Sequence, residues 1–107
     1  MKEFINKGGE KISLVEVDNL ARQHPALDEV VTFAIDDETY GHDVGMAVSL
    51  RKGEDLTAMA LKKWIRESIS AMKVPKHIWI TEEIPKTATG KVQRRLVADQ
   101  MMKQAAS

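Results

Sequence analysis

The spacing of apolar residues in this chain changes several times between the patterns typical of strands and of helices, and each pattern is short. Strand patterns cover 4–6, 11–12, 29–35, 44–50 and 77–80, and helical patterns cover about 14–23, 57–72 and 92–103. The resulting order, β-β-α-β-β-α-β-α, predicts an α+β fold. We expect a small domain with a three-stranded, antiparallel-type sheet, an N-terminal β-hairpin and about three helices.

Local signals predict where some of these elements begin and end. Gly8 and Gly9 lie between two short apolar runs, which is typical of a tight hairpin. Ser13 followed by Glu16 matches a capping box, so the first helix should begin after Ser13. Pro25 ends that helix. The acidic run 36–38 is predicted to be a solvated turn, since adjacent carboxylates repel each other.

Composition limits the possible functions. The chain has 107 residues, of which 43% are hydrophobic and 30% charged, as expected for one folded soluble domain. It has no cysteine and three scattered histidines, so neither a disulfide nor a metal site is predicted. Sixteen basic and sixteen acidic side chains give no net charge, which argues against nucleic acid as a partner. No apolar stretch is long enough for a membrane span, and we expect a cytoplasmic protein.

The charges are unevenly distributed along the chain. Residues 1–50 contain four basic and ten acidic side chains, and residues 51–107 contain twelve and six. The segment 85–98 forms a loop that leads into a helix, and it contains no acidic residue. Its four cations are Lys86, Lys91, Arg94 and Arg95. Such a segment attracts anions. By composition alone, a hydrated surface loop is the simpler interpretation, and a phosphate-binding Walker loop is excluded because Val92 follows Lys91.

Two longer motifs resemble the adenylate-forming superfamily of acyl-CoA synthetases and related enzymes. They are 2–12, KEFINKGGEKI, and 85–95, PKTATGKVQRR. Residues 24–30 and 37–41 follow the family's order between them. The resemblance is closest to the C-terminal domain of oxalyl-CoA-synthetase-like or short-chain acyl-CoA ligases. Asp36 and His42 depart from the family's usual residues, in a loop away from the expected chemistry.

The resemblance implies a ligase that uses ATP, Mg and CoA to activate a small carboxylic acid. Lys91 matches the lysine of the adenylation step, and Lys2 matches a hinge between two domains. The other implied site residues bind cofactors: Gly8, Gly9, Glu10 and Lys11 line the CoA channel, and Thr89, Gly90 and Arg95 lie near the nucleotide. No metal ligand is implied in this chain.

The resemblance also implies that residues 1–107 form a mobile lid domain. Its partner, an N-terminal ATP- and acyl-binding domain of the same ligase, is absent from the sequence, so we expect the chain alone to be inactive. A peroxisomal location is expected instead if a targeting tripeptide was removed after Ser107. Two alternatives stay open: the lid of an adenylation enzyme that loads a carrier protein, and a non-catalytic anion-binding interaction module.

Overall fold

The computed structural model describes residues 3–104, so the predicted hinge residue Lys2 and the terminal Ser107 lie outside the described residues. The elements are β1 (Phe4–Lys7), β2 (Glu10–Ser13), α1 (Leu14–Ala21), β3 (Leu27–Asp37), β4 (Gly41–Leu50), α2 (Ala58–Arg66), a 3-10 turn (Ala71–Lys73), β5 (His77–Ile80) and α3 (Arg94–Met101). The predicted α+β class and the predicted order of strands and helices are confirmed.

The strands form two separate sheets. β1 and β2 form an antiparallel hairpin, and β3, β4 and β5 form a three-stranded sheet with β4 in the centre. β3 and β4 are antiparallel, but β5 runs parallel to β4, with Met46 opposite Ile78. The sheet is therefore mixed, whereas the sequence predicted an antiparallel type. The reason is the crossover: α2 and the 3-10 turn lie between β4 and β5 and return the chain to the end of the sheet where β4 began.

The three-stranded sheet has a hydrophobic layer on each face. On one face the side chains of β4 pack against the hairpin, α1 and α2, in a cluster that includes Ile12, Val17, Met46 and Leu61. On the other face α3 covers a smaller cluster that includes Phe33, Trp79, Val97 and Met101. Alternate residues of β4 thus point into different layers, as the pleat of a strand requires.

Side-chain caps explain where two of the helices begin. Ser13 Oγ accepts a hydrogen bond from the Glu16 amide at 3.2 Å, as the capping motif predicted. Thr57 Oγ1 accepts one from the Ala60 amide at 3.1 Å. α2 ends at Arg66, well before the predicted end at Met72.

The acidic segment was predicted to be a loop, but most of it belongs to the strands. Asp36 and Asp37 are the last residues of β3, and the turn covers only 38–40. Asp37 Oδ2 accepts hydrogen bonds from the amides of Thr39 and Tyr40 at 3.0 and 2.8 Å, which allows the chain to reverse in three residues. Among the described residues, no helix has the length and apolar character needed to cross a membrane.

Candidate functional site

Lys91 lies in a tightly closed loop between β5 and α3. The Thr87 amide donates to the Lys91 carbonyl at 2.8 Å, and the Gly90 amide donates to the Thr87 carbonyl at 2.9 Å. Thr87 Oγ1 accepts from the Lys91 amide at 3.2 Å and lies 3.1 Å from Thr89 Oγ1. These bonds hold the backbone of Lys91 in place while its side chain stays exposed.

The four cations of the segment 85–98 have different surroundings. Lys86 Nζ contacts Glu29 Oε1 at 3.1 Å. Arg94 Nη1 contacts Asp18 Oδ2 at 2.8 Å, and its Nε pairs with Glu3. Within residues 3–104 neither Lys91 nor Arg95 forms an ion pair. The alternative of an anion-binding module formed by all four cations is therefore disfavoured, because the charges of Lys86 and Arg94 are matched by partners far away in the sequence.

Arg94 connects the start of α3 to the core. Its Nη1 donates to the Thr32 carbonyl at 3.0 Å in addition to pairing with Asp18, whose side chain is only 4% exposed. Asp18 Oδ1 accepts from the Thr32 amide at 2.8 Å and from the Thr32 hydroxyl at 2.6 Å. This network holds Arg94, three positions after Lys91, against the core. Through Glu3 it also reaches the residue that follows Lys2, the predicted hinge.

A groove of about 630 Å³ runs beside the start of α3. Its walls combine acidic and basic side chains, including Glu3, Arg22, Arg94 and Arg95, with the apolar side chain of Val92. The residues that come directly after Lys91, from Val92 to Arg95, line this groove, and Arg95 is exposed. A surface with both signs of charge suits a polar partner better than a purely anionic ligand.

The glycine hairpin is placed against the turn between β3 and β4. Gly8 and Gly9 both have positive φ, at 57° and 87°. The Gly8 amide donates to the Tyr40 carbonyl at 3.0 Å. A Cβ on Gly8 would lie 2.8 Å from Cδ1 of Tyr40. Glycine at position 8 is therefore required both by the backbone conformation and by the aromatic ring beside it.

Replacing Gly8 with alanine is expected to destabilise the domain through two separable effects. The left-handed backbone costs about 1–2 kcal/mol for a residue with a Cβ. The contact with Tyr40 adds a second cost, which Tyr40→Ala should remove. Urea unfolding of Gly8→Ala in the wild-type protein and in the Tyr40→Ala protein measures the coupling free energy between the two positions, which is expected to be about 0.5 kcal/mol or more. An equal cost in the two backgrounds would show that Tyr40 does not restrict position 8.

The remaining hairpin residues are on the surface. Glu10 and Lys11 are exposed at the start of β2, and Lys11 Nζ lies 5.1 Å from the centroid of the Phe4 ring. The structure thus gathers residues 8–11 at one turn. Two neighbours of the turn, Lys7 and Tyr40, line a groove that is separate from the one beside the Lys91 loop.

This second groove, of about 400 Å³, has a basic rim that the sequence did not predict. Lys62 and Arg66 from α2 face Lys76, which precedes β5. Lys62 Nζ donates to the Lys76 carbonyl at 2.6 Å, and burial lowers the pKa of Lys62. Lys76 forms an ion pair with Asp37, which raises the pKa of Lys76 and lowers that of Asp37. The available signal was the four-residue spacing of Lys62 and Arg66 on one helix face.

No metal-binding arrangement accompanies these two grooves. Within the part of the chain that the structure describes, no three His, Cys, Asp or Glu side chains are grouped to hold an ion. The groups suited to an anion are instead Arg95, which lies among acidic side chains at the first groove, and Lys62 and Arg66 at the second. Such a set of groups contacts phosphates and carboxylates.

The chain belongs to the AMP-binding enzyme C-terminal domain family, whose model matches residues 16–91. The match ends at Lys91, and it does not include the glycine hairpin.

Several known proteins are similar to this chain. A probable CoA ligase, CCL9, from Humulus lupulus is 43% identical over 97% of the chain, and oxalate–CoA ligase from Arabidopsis thaliana is 44% identical over 95%. Among solved structures, ATP-bound MatB from Rhodopseudomonas palustris has the same fold, with a TM-score of 0.85 and 18% identity over 94% of the chain. The chain spans about one fifth, 20%, of each of these three proteins.

Proposed function

We propose that this chain is the C-terminal domain of an ATP-dependent, AMP-forming ligase that joins a small carboxylic acid to CoA. The observation on which the proposal rests is the exposed ammonium group of Lys91, held on a hydrogen-bonded loop at the end of the family match. Membership of the family and the names of the relatives, which are CoA ligases, support the same activity. The N-terminal domain of the same ligase would supply the remaining walls of the active site.

In the first step, a carboxylate oxygen of the acid attacks the α-phosphorus of ATP, and pyrophosphate leaves. Negative charge gathers where the two anionic groups meet, and Lys91 would stabilise it by direct electrostatic contact. Thr89, Gly90 and Arg95 would lie near the nucleotide, and Lys2 would act as the hinge. The Mg ion would be held mainly by the N-terminal domain, where it would neutralise phosphate charge.

In the second step, the CoA thiol attacks the acyl carbon of the adenylate, and AMP leaves. The hairpin residues Gly8, Gly9, Glu10 and Lys11 would line the channel for the pantetheine arm, because a turn without side chains at its tip allows close approach of the backbone. The phosphates at the nucleotide end of CoA would contact Lys62 and Arg66 in the basic groove beside Lys7 and Tyr40.

The activity is tested on the full-length ligase with a panel of small carboxylic acids that includes oxalate and malonate. ATP–pyrophosphate exchange measures the first step, and formation of the CoA thioester measures the whole reaction. Both are expected with at least one acid of the panel. Thioester formation only on a phosphopantetheinylated carrier protein would favour the carrier-loading alternative, and anion binding without either reaction would favour the interaction module.

Arg66→Ala is expected to raise the KM for CoA about fivefold, equivalent to about 1 kcal/mol for an exposed charge contact. The KM for pantetheine, which has no nucleotide, should be unchanged. Lys63→Ala is the matched control, because Lys63 is an exposed cation on the same helix that does not line the groove. Steady-state kinetics with CoA and with pantetheine measures both values. An equal rise in the KM for pantetheine would exclude a contact between Arg66 and the CoA phosphates.

A further inference from the structure

Lys7, the residue before the glycine turn, is buried, and its ammonium group contacts three other segments. Its side chain is 7% exposed, and Nζ lies 2.9 Å from Asp43 Oδ1 on β4. Nζ also donates to the carbonyl of Met72 in the 3-10 turn at 3.0 Å. The centroid of the Tyr40 ring lies 5.3 Å from the same atom. Lys7 therefore joins the hairpin to β4, to the 3-10 turn and to the turn between β3 and β4.

Stability alone does not explain a charge pair in this place. The side chain of Asp43 is 6% exposed, so both charges have lost most of their hydration. Apolar side chains of similar size in such positions are often equally stable or more stable. What an ion pair adds is a fixed geometry: Asp43 Oδ1 also accepts from the Val44 amide at 2.7 Å, so the carboxylate is anchored to its own strand.

The geometry that Lys7 fixes is that of the glycine turn. A two-stranded hairpin by itself is marginally stable, and β1 and β2 form a sheet separate from the main one. The Gly8 amide reaches the Tyr40 carbonyl at 3.0 Å only while the hairpin lies against that turn. Lys7 contacts the Tyr40 ring from the neighbouring position, so its side chain adds to the core packing of the hairpin in setting how Gly8 and Tyr40 meet at the edge of the basic groove.

We propose that Lys7 is a positioning residue for the thioester-forming step, acting through Gly8 and Tyr40. The inference rests on the proposed function, in which this turn lines the pantetheine channel. Lys7 donates to Asp43 and to Met72 and is nearly inaccessible, so it acts on the hairpin and does not bind CoA phosphates itself. It has no part in the adenylation step, which involves Lys91 and the other groove.

The test is a paired variant of the full-length ligase, Lys7→Met with Asp43→Asn. Removing both charges avoids leaving a buried carboxylate without a partner, and asparagine keeps an oxygen for the Val44 amide. The KM for CoA and the KM for pantetheine should both rise about tenfold or more, equivalent to about 1.4 kcal/mol, because the displaced turn lines the channel for the arm that both thiols share. ATP–pyrophosphate exchange should keep its wild-type rate. The single variant Lys7→Arg, which keeps the cation, should have KM values for both thiols close to those of the wild type.

Lys73→Met serves as the control variant. It removes an ion pair from the same 3-10 turn, Lys73 Nζ to Glu16 Oε1 at 3.1 Å, that does not involve the hairpin. Both half-reactions should be unchanged in this variant. Thermal unfolding of each protein shows whether the fold is retained.

Other outcomes would overturn the inference in distinguishable ways. Wild-type KM values for both thiols in the paired variant would exclude positioning by Lys7. A rise for CoA without a rise for pantetheine would mean that Lys7 acts on the phosphates. An equal loss of both half-reactions together with a lower melting temperature would leave Lys7 a purely structural role. Absence of both half-reactions in the wild-type ligase would instead contradict the proposed function.

Discussion

Lys91→Ala is expected to slow formation of the acyl-adenylate by about 10²–10³-fold, or roughly 2.7–4 kcal/mol of transition-state stabilisation. The alanine variant should fold normally, because the loop is closed by backbone groups and by Thr87, and none of these bonds uses the lysine ammonium. ATP–pyrophosphate exchange by the full-length ligase measures the effect. The lost interaction is the contact between Nζ and the charge that develops at the α-phosphate.

The control for this variant is another exposed lysine in a turn. Lys52→Ala, between β4 and α2, removes the same charge without changing the Lys91 loop, and its exchange rate should match the wild type. Lys91→Arg separates charge from shape: a guanidinium keeps the charge but is wider and planar, so partial activity is expected. An exchange rate for Lys91→Ala within a factor of about three of the wild type would remove Lys91 from the reaction.

Arg94→Met is expected to lower the free energy of unfolding by about 3–5 kcal/mol, a large part of the stability of a small domain. The change leaves Asp18 buried without its cation, although its bonds to Thr32 remain. Burial raises the pKa of Asp18 and lowers that of Arg94, so each charge is disfavoured without the other. Urea unfolding of the variant and the wild type gives the difference.

The pH dependence of this loss has a defined sign. Burial already raises the pKa of Asp18 above the ordinary value of 3.8 in the wild type, and removing the Arg94 guanidinium should raise it further. The folded variant should then bind a proton more readily than either the folded wild type or the unfolded chain. The deficit should therefore be smallest below pH 3.8 and should grow as the pH rises through the folded-state pKa. A deficit that shrinks with rising pH would contradict a buried, unpaired Asp18.

Two further variants isolate the pair. Asp18→Asn combined with Arg94→Met removes both charges and should recover much of the lost stability. Lys86→Met breaks the more exposed ion pair between Lys86, in the loop before α3, and Glu29 on β3, which are 3.1 Å apart. It should lower the free energy of unfolding by less than about 1 kcal/mol. If Arg94→Met unfolds like the wild type, Arg94 does not anchor α3, and the alternative in which Arg94 helps to bind an anion would gain support.

Features encoded by neighbouring residues were predictable from the sequence. The glycine pair at 8 and 9, the cap at Ser13 and the strand at 77–80 each depend on a few adjacent positions, and each occurs as predicted. The same is true of the order of elements, because a change in apolar spacing is itself a local signal.

Features that depend on distant partners were not predictable. The direction of β5 depends on how α2 and the following turn cross the sheet. Arg94 looked like a free cation until the fold placed it beside Asp18, and Lys7 looked like one more surface lysine until β4 brought Asp43 next to it. Nothing in a short window of sequence distinguishes these side chains from Lys91 or Arg95. Only the tertiary packing shows which cations pair with buried carboxylates and which are exposed to solvent.

In the proposed function this domain serves the two half-reactions with different surfaces, Lys91 in the first and the glycine hairpin in the second. The most direct measurement supplies the Lys91→Ala ligase with a preformed acyl-adenylate and CoA and records the rate of thioester formation. We expect a rate within a few-fold of the wild type, despite the loss of pyrophosphate exchange. A loss of thioester formation as large as the loss of exchange would mean that Lys91 serves both half-reactions.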